Sequence, residues 1–320
     1  MERGTRLGRV TTTVAVLAAA VTASLTAGCS TAPGPADDGR ASRPDPSHGT
    51  AAPLLAVKID NAPAARPQTG LDSADVVYVE QVEGGLSRLM AVYATKLPDA
   101  VGPVRSARES DLELLAQFRH PTLAFSGVQS KLKPLIARAP LRDASPDKVK
   151  DGYFREPGRA APHNLYVRPN RLLPSAPGAA ALTTGFRYGA APAGGRAEVS
   201  QTVRYPAARF TFTWSEYRGR WLVAMDGAAP APQSTPAPAT VVVQYVKVRN
   251  SAYGDFLGSN TPYTETVGSG RATVLRDGRA HDVVWKRPAA TAGTSFTQAD
   301  GTPVNFAKGQ VWVVLTKAPR

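Results

Sequence analysis

The 320-residue chain has a single cysteine, Cys29, so no disulfide can form within it and its fold must rest on its own apolar core. Histidine is almost as scarce. His48, His120, His163 and His281 are scattered without ligand spacing, which argues against a transition-metal site. No Gly-Lys-Ser/Thr follows Gly84-Gly85, which excludes a phosphate loop, and no Gly-x-Ser-x-Gly frame surrounds Ser106, which excludes a nucleophile elbow. Neither a metal nor a cofactor is therefore expected. Acidic side chains are the minority charge, 25 against 38 Lys and Arg, for a net charge of +13. A long hydrophobic run is also missing. Val10–Leu25 is broken by Thr11, Thr12, Thr13, Thr22 and Ser24, and is short for a permanent span of roughly 20 residues.

That short run sits behind Arg3, Arg6 and Arg9 and ahead of Ser24-Leu25-Thr26-Ala27-Gly28-Cys29, the layout of a signal peptide over residues 1–28. It resembles a bacterial lipoprotein signal, which implies cleavage before Cys29 and attachment of palmitate-type chains there, with the protein held on the extracytoplasmic face of the cell membrane. An ordinary secretory signal is the other reading, and both mean export. The exported 292 residues carry 35 basic and 24 acidic side chains, a net +11. Outside a membrane nucleic acid is not the expected partner; anionic lipid, a cell-wall polymer or an envelope protein is. The excess is uneven: residues 54–180 hold 17 basic and 13 acidic side chains, and residues 181–320 hold 16 and 8.

Residues 29–53 are rich in Pro, Gly, Ala and Ser and read as a disordered tether. Beyond it, breaker residues cluster between Pro174 and Gly195 and suggest two domains. Residues 54–180 mix strand signals (Leu54–Ile59, Val76–Val79, Arg88–Tyr93, Leu123–Phe125) with a helix capped by Ser106 and running to Arg119, and a short helix over Lys131–Arg138. Residues 200–320 change to period two, with Asp277-Gly278 marking a hairpin and Val311–Leu315 a last strand. The expected fold class is α+β: an N-terminal mixed α/β domain followed by a mostly β C-terminal domain.

Polar residues gather at the ends of the N-terminal strands, where sheet proteins often place ligand sites. Glu80 and Glu83 suit a paired acid and base, with His163 assisting, or else one of them pairs with Arg88. Arg105 and Arg108, three apart, suit a bidentate grip on a carboxylate or phosphate from one helical turn, or else internal ion pairs with Asp60, Glu80 or Glu83. Asp60, Asn61, Arg66, Arg88 and Asn164 complete the candidate ligand contacts.

Lys58-Ile59-Asp60-Asn61, Ala65–Leu71, Ala74–Tyr78, Glu83-Gly84-Gly85-Leu86-Ser87-Arg88, Gly102–Arg108 and Ala161–Tyr166 resemble the YerB-like lipoprotein family in that order. Gly268–Ala272, Asp277-Gly278, Trp285-Lys286 and Gly309–Trp312 are similar to its second domain. The resemblance implies an exported, lipid-anchored, two-domain protein and leaves its chemistry open; Arg220–Thr240 departs from it, being richer in Pro and Ala. Three readings follow. The first is an envelope binding or accessory protein whose Arg66, Arg88, Arg105 and Arg108 grip an anionic cell-wall ligand. The second is a cell-wall glycan or peptide hydrolase or lyase using Glu80 or Glu83 with His163. The third makes the polar cluster a buried scaffold and the β half a docking module.

Overall fold

A computed structural model describes residues 52–228, 235–254 and 259–318. Cys29 and most of the tether lie outside the described residues, and none of the described helices is long and apolar enough to cross a membrane. The N-terminal half supplies strands β1 (Leu55–Asp60), β2 (Val76–Gln81), β3 (Ser87–Tyr93), β4 (Thr122–Ala124), β5 (Arg142–Asp143), β6 (Tyr153–Arg155) and β7 (Leu165–Val167). Its helices are α1 (Glu109–Leu115), α2 (Lys133–Arg138) and α3 (Pro169–Leu172). Two short strands follow, β8 (Arg187–Tyr188) and β9 (Arg196–Ala197). Then come β10 (Ser200–Tyr205), β11 (Ala208–Ser215), β12 (Arg220–Met225), β13 (Thr240–Tyr245), β14 (Val248–Gly254) and β15 (Asn260–Thr264). The chain finishes with β16 (Gly268–Arg276), β17 (Arg279–Arg287), β18 (Ser295–Thr297), β19 (Asn305–Phe306) and β20 (Val311–Thr316).

Among the described residues one sheet of eleven strands organises the fold, in the order β18-β17-β16-β13-β20-β2-β3-β1-β4-β5 with β9 beside β17. The last strand, β20, lies between β13 and β2 and runs parallel to both. The sequence division at 180–200 is thus not a division of the sheet, because β2 from one side of it and β20 from the other are hydrogen-bonded neighbours. Both faces of the sheet are covered, which is why β1, β13 and β20 are buried nearly end to end and read as continuous apolar runs. On one face, Val57, Val79, Val243 and Val314 pack with Phe210, Phe212 and Trp221 from the antiparallel sheet β10-β11-β12. On the other, Ala56, Tyr78, Met90 and Val313 pack with Leu114, Leu115 and Ile136 of α1 and α2 and with Phe296 and Phe306.

The fold is mostly β, and the mixed α/β description of the N-terminal half holds only loosely: α1 has seven residues and α2 six. The helix expected from Ser106 starts later. Residues 105–108 carry no helical turns, Arg108 is extended (φ −128°, ψ 163°), and the Asp111 carboxylate accepts its N–H at 2.6 Å, so Arg108 is the cap.

Candidate functional site

Register brings the polar residues together. Arg88 of β3 lies directly opposite Asp60 of β1 on one side and Glu80 of β2 on the other, so three neighbouring strands place alternating charges in one row at the end of the sheet. Lys58 stands two residues before Asp60 on β1, on the same face. The N-terminus of α1 packs over this row and adds Ser110 and Asp111.

Four small networks result. In the first, Lys58 Nζ, fully buried, pairs with Glu80 Oε1 and with Asp111 Oδ1 at 2.7 Å, while Ser110 Oγ donates to Glu80 Oε2 at 2.8 Å. Burial pushes the Lys58 amine down to about 8, against the opposing pull of Asp111. In the second, Arg108 holds Glu83 with both arms of its fork, Nε to Oε1 at 2.6 Å and Nη2 to Oε2 at 2.7 Å, and Thr261 Oγ1 donates to Oε1 at 2.5 Å. Desolvation alone would raise the Glu83 carboxyl, but the hydrogen bonds and charge of Arg108, helped by Thr261, outweigh it and hold the group near about 2. Glu83 is presented by a tight turn in which Gly84 (φ 64°) and Gly85 (φ 72°) are left-handed, and a Cβ on Gly85 would lie 2.5 Å from Pro206.

In the third network Asp60 Oδ2 receives His163 Nδ1 at 2.8 Å and pairs with Arg105 Nε at 3.0 Å. In the fourth Asn61 accepts from Arg66 Nε (3.1 Å) and Gln68 Nε2 (2.8 Å) and donates to Ser87 Oγ (2.8 Å), while Arg66 Nη2 reaches Asp226 Oδ2 at 2.7 Å. Asn164 stands apart, bonded to Arg155 Nη1 and to the carbonyl of Arg159.

Several sequence expectations are corrected by these contacts. Arg105 and Arg108 do not share a helical turn; they lie in the segment before α1 and hold different carboxylates. Arg88 pairs with neither Glu80 nor Glu83 by hydrogen bond but donates to the Ser106 carbonyl at 2.9 Å. Burial first, then the nearby Arg108 charge, lowers Arg88 to about 9. The four arginines expected to grip an anion have these internal partners, and none stands as a bare cation among the described residues. His163 meets Asp60, and no described hydrogen bond joins it to Glu80 or Glu83, so the expected acid/base grouping is not assembled. A carboxyl held near 2 is also a poor proton donor at neutral pH.

Lys58, Ser110, Asp111, Asp226 and Thr261 were not anticipated. Lys58 had a legible signal, a lone charge inside the otherwise apolar Leu54–Ile59. Asp226 and Thr261 had none, because they arrive from more than a hundred residues away.

Beside the Glu83–Arg108 pair opens a cleft of about 350 Å³. Ser106, Gln129 and Ser130 line one side; Ser251, Tyr253 and Thr261, from β14 and β15, line the other. Ser251 Oγ donates to Glu109 Oε2 at 2.5 Å, so two carboxylates, Glu83 and Glu109, are fixed in the wall by hydroxyl groups.

Two family models match the chain: residues 41–182 match the N-terminal domain, and residues 201–313 the C-terminal domain, of "Protein of unknown function (DUF3048)". Over 55 residues the chain is 49% identical to "Putative lipoprotein YerB" of Bacillus subtilis (strain 168), a stretch that spans 17% of each chain. The crystal structure of the YerB protein from Bacillus subtilis superposes with a TM-score of 0.68 at 19% identity, covering 83% of this chain and 91% of that one. At that identity the likeness is one of fold.

Proposed function

The chain belongs to the DUF3048 family, both of whose domains it carries, and from that premise we propose a lipid-anchored accessory protein of the cell envelope that binds a saccharide segment of the cell wall. Anchoring is supported by the leader before Cys29 and by the name of the YerB relative. The observation that carries the ligand class is the cleft beside Glu83 and Arg108. Its lining joins hydroxyl, amide and carboxylate groups with the Arg108 guanidinium and with apolar Ala107, Val128 and Leu132, and Tyr253 adds an aromatic surface. Sugar hydroxyls both donate and accept, so they match such a wall group by group. An anionic ligand would instead have to displace Glu83 from a bidentate arginine or approach Glu109, and a polyanion grip therefore has less support here than a neutral one. The hydrolase reading has less support, because Arg108 holds the Glu83 carboxyl well below the usual carboxylate range and His163 meets Asp60 instead.

The test is calorimetric titration of residues 48–320, one compact unit, with a soluble N-acetylated cell-wall oligosaccharide, followed by mass spectrometry of the sugar. Binding without cleavage is the expected result, with Tyr253→Ala weakening it about tenfold at a temperature where a parallel melt shows the variant folded. Absence of binding rejects the ligand class, and cleavage lost in Glu83→Gln restores the enzyme reading.

A further inference from the structure

A second surface lies at the start of β16, three strands from β2 in the main sheet. Strand β16 pairs with β17 over its whole length, Gly268 to Arg276, but with β13 only from Ala272 to Arg276. Its first four residues, Gly268-Ser269-Gly270-Arg271, therefore have a strand on one side only. Hydrogen-bonded pairs alternate along an antiparallel ladder. Counting from the Arg276–Arg279 pair that closes the two-residue turn, the bonds to β17 fall at Val274, Ala272, Gly270 and Gly268. The N–H and C=O of Ser269 thus point away from β17, and no backbone partner meets them among the described residues. A cavity of about 390 Å³ runs along this open edge, bounded by Tyr245, Lys247, Glu265, Arg271 and Trp285.

Two of the four edge residues are glycine, and at Gly270 the reason lies in this chain's own packing. Neither Gly268 nor Gly270 carries a side chain; a Cβ on Gly270 would meet Trp285 Nε1 at 2.9 Å and the Tyr245 carbonyl at 3.1 Å. Those two atoms are joined by the hydrogen bond from Trp285 Nε1 to Tyr245 O at 2.9 Å, which closes the wall of the cavity. The charge around the edge that lacks an ion-pair partner has one sign. Lys247, Arg271 and Lys286 are exposed and have no carboxylate partner among the described residues, whereas Glu265 is already paired with Arg249 at 3.1 Å. Exposed edges are normally blunted against unwanted pairing, and here the blunting charges are all positive.

We propose that the Gly268–Arg271 edge is a docking site for an extended, acidic segment of a partner protein, which adds to the sheet as a strand beside β16. Main-chain bonds to Ser269 supply the register, and Lys247 and Arg271, which line the cavity, select carboxylates on the incoming strand.

The test uses fluorescence anisotropy of residues 48–320 with a labelled peptide of alternating valine and glutamate. Its counterparts carry lysine in place of glutamate, or N-methyl groups along the backbone. The glutamate peptide is expected to bind, both counterparts at least about tenfold more weakly, and binding to fall as salt rises. Ser269→Pro, which removes the outward donor, and Arg271→Glu, which reverses an exposed charge, are each expected to weaken it by about tenfold or more at an unchanged melting temperature. Arg271→Glu alone decides the matter if Ser269→Pro unfolds. No binding, equal binding of the lysine peptide, or full binding of the N-methylated one overturns the proposal. So does self-association of the chain that Ser269→Pro abolishes, which would assign the edge to a second copy.

Discussion

Lys58 is a cation wholly out of water: fully buried, with two carboxylates and a hydroxyl around it. Removing one partner of a buried charge network strands the rest, so Lys58→Met is expected to lower stability by about 3–5 kcal/mol in denaturant titration. Adding Glu80→Gln and Asp111→Asn, which remove the stranded charges, is expected to recover most of the loss; a triple variant no better than the single one would refute this account. Glu83 gives a pH prediction of definite sign. Its folded carboxyl, near about 2, lies below the ordinary 4.5. The unfolded chain therefore takes up the proton first, and the contribution is complete above about pH 5 and lost as pH falls toward 2. Glu83→Gln should flatten that acid limb in thermal melts. Glu83, its partner Arg108 and the Glu80 that meets Lys58 were all singled out in the sequence, with ion pairing to Arg108 as one of the readings, but Lys58, Asp111 and Thr261 were not. Charge pairing across strands depends on register, and register is set by which apolar face is buried rather than by anything local to Lys58 or Glu83.

At the level of elements, legibility followed the strength of the local signal. Strands β1, β2, β3 and β20 are buried on both faces, so their apolar runs announce them within one or two residues. The β16–β17 hairpin was equally plain, because Asp277 (φ 50°) and Gly278 (φ 68°) both adopt the positive φ that Asp-Gly tolerates. A Cβ on Gly278 would also press to 2.9 Å from the Trp214 ring. Gly278→Ala should consequently cost about 1 kcal/mol or more in equilibrium unfolding, and a neutral result would mean the turn relaxes away from Trp214. Helix α1 was legible in place but not in length. The chain before it lies extended along β1, with Arg105 N–H donating to the Lys58 carbonyl at 2.8 Å, and that long-range bond overrides the capping potential of Ser106.

For the whole molecule, the deciding arrangement is a sheet to which both family domains contribute. Residues 48–181 alone would leave the long edge of β2 open where β20 belongs, and would lack Thr261, Asp226 and the β10-β11-β12 sheet that covers one face. That fragment is expected to show no cooperative thermal transition, while residues 48–320 show one; a sharp melt of the fragment would mean that the N-terminal half folds by itself. Nothing in composition or periodicity could reveal this joint sheet, since a strand reads the same whether its neighbour is twenty residues away or two hundred. The position of β20 also has a consequence in time. Strand β20, far along the chain from β2, is the one that separates β13 from β2, so a polypeptide emerging amino-terminus first from a ribosome or a translocation channel cannot complete its central sheet until Val311–Thr316 have cleared the exit. The order of synthesis thereby sets the closing of the central sheet late, after β2 and β13 have both emerged.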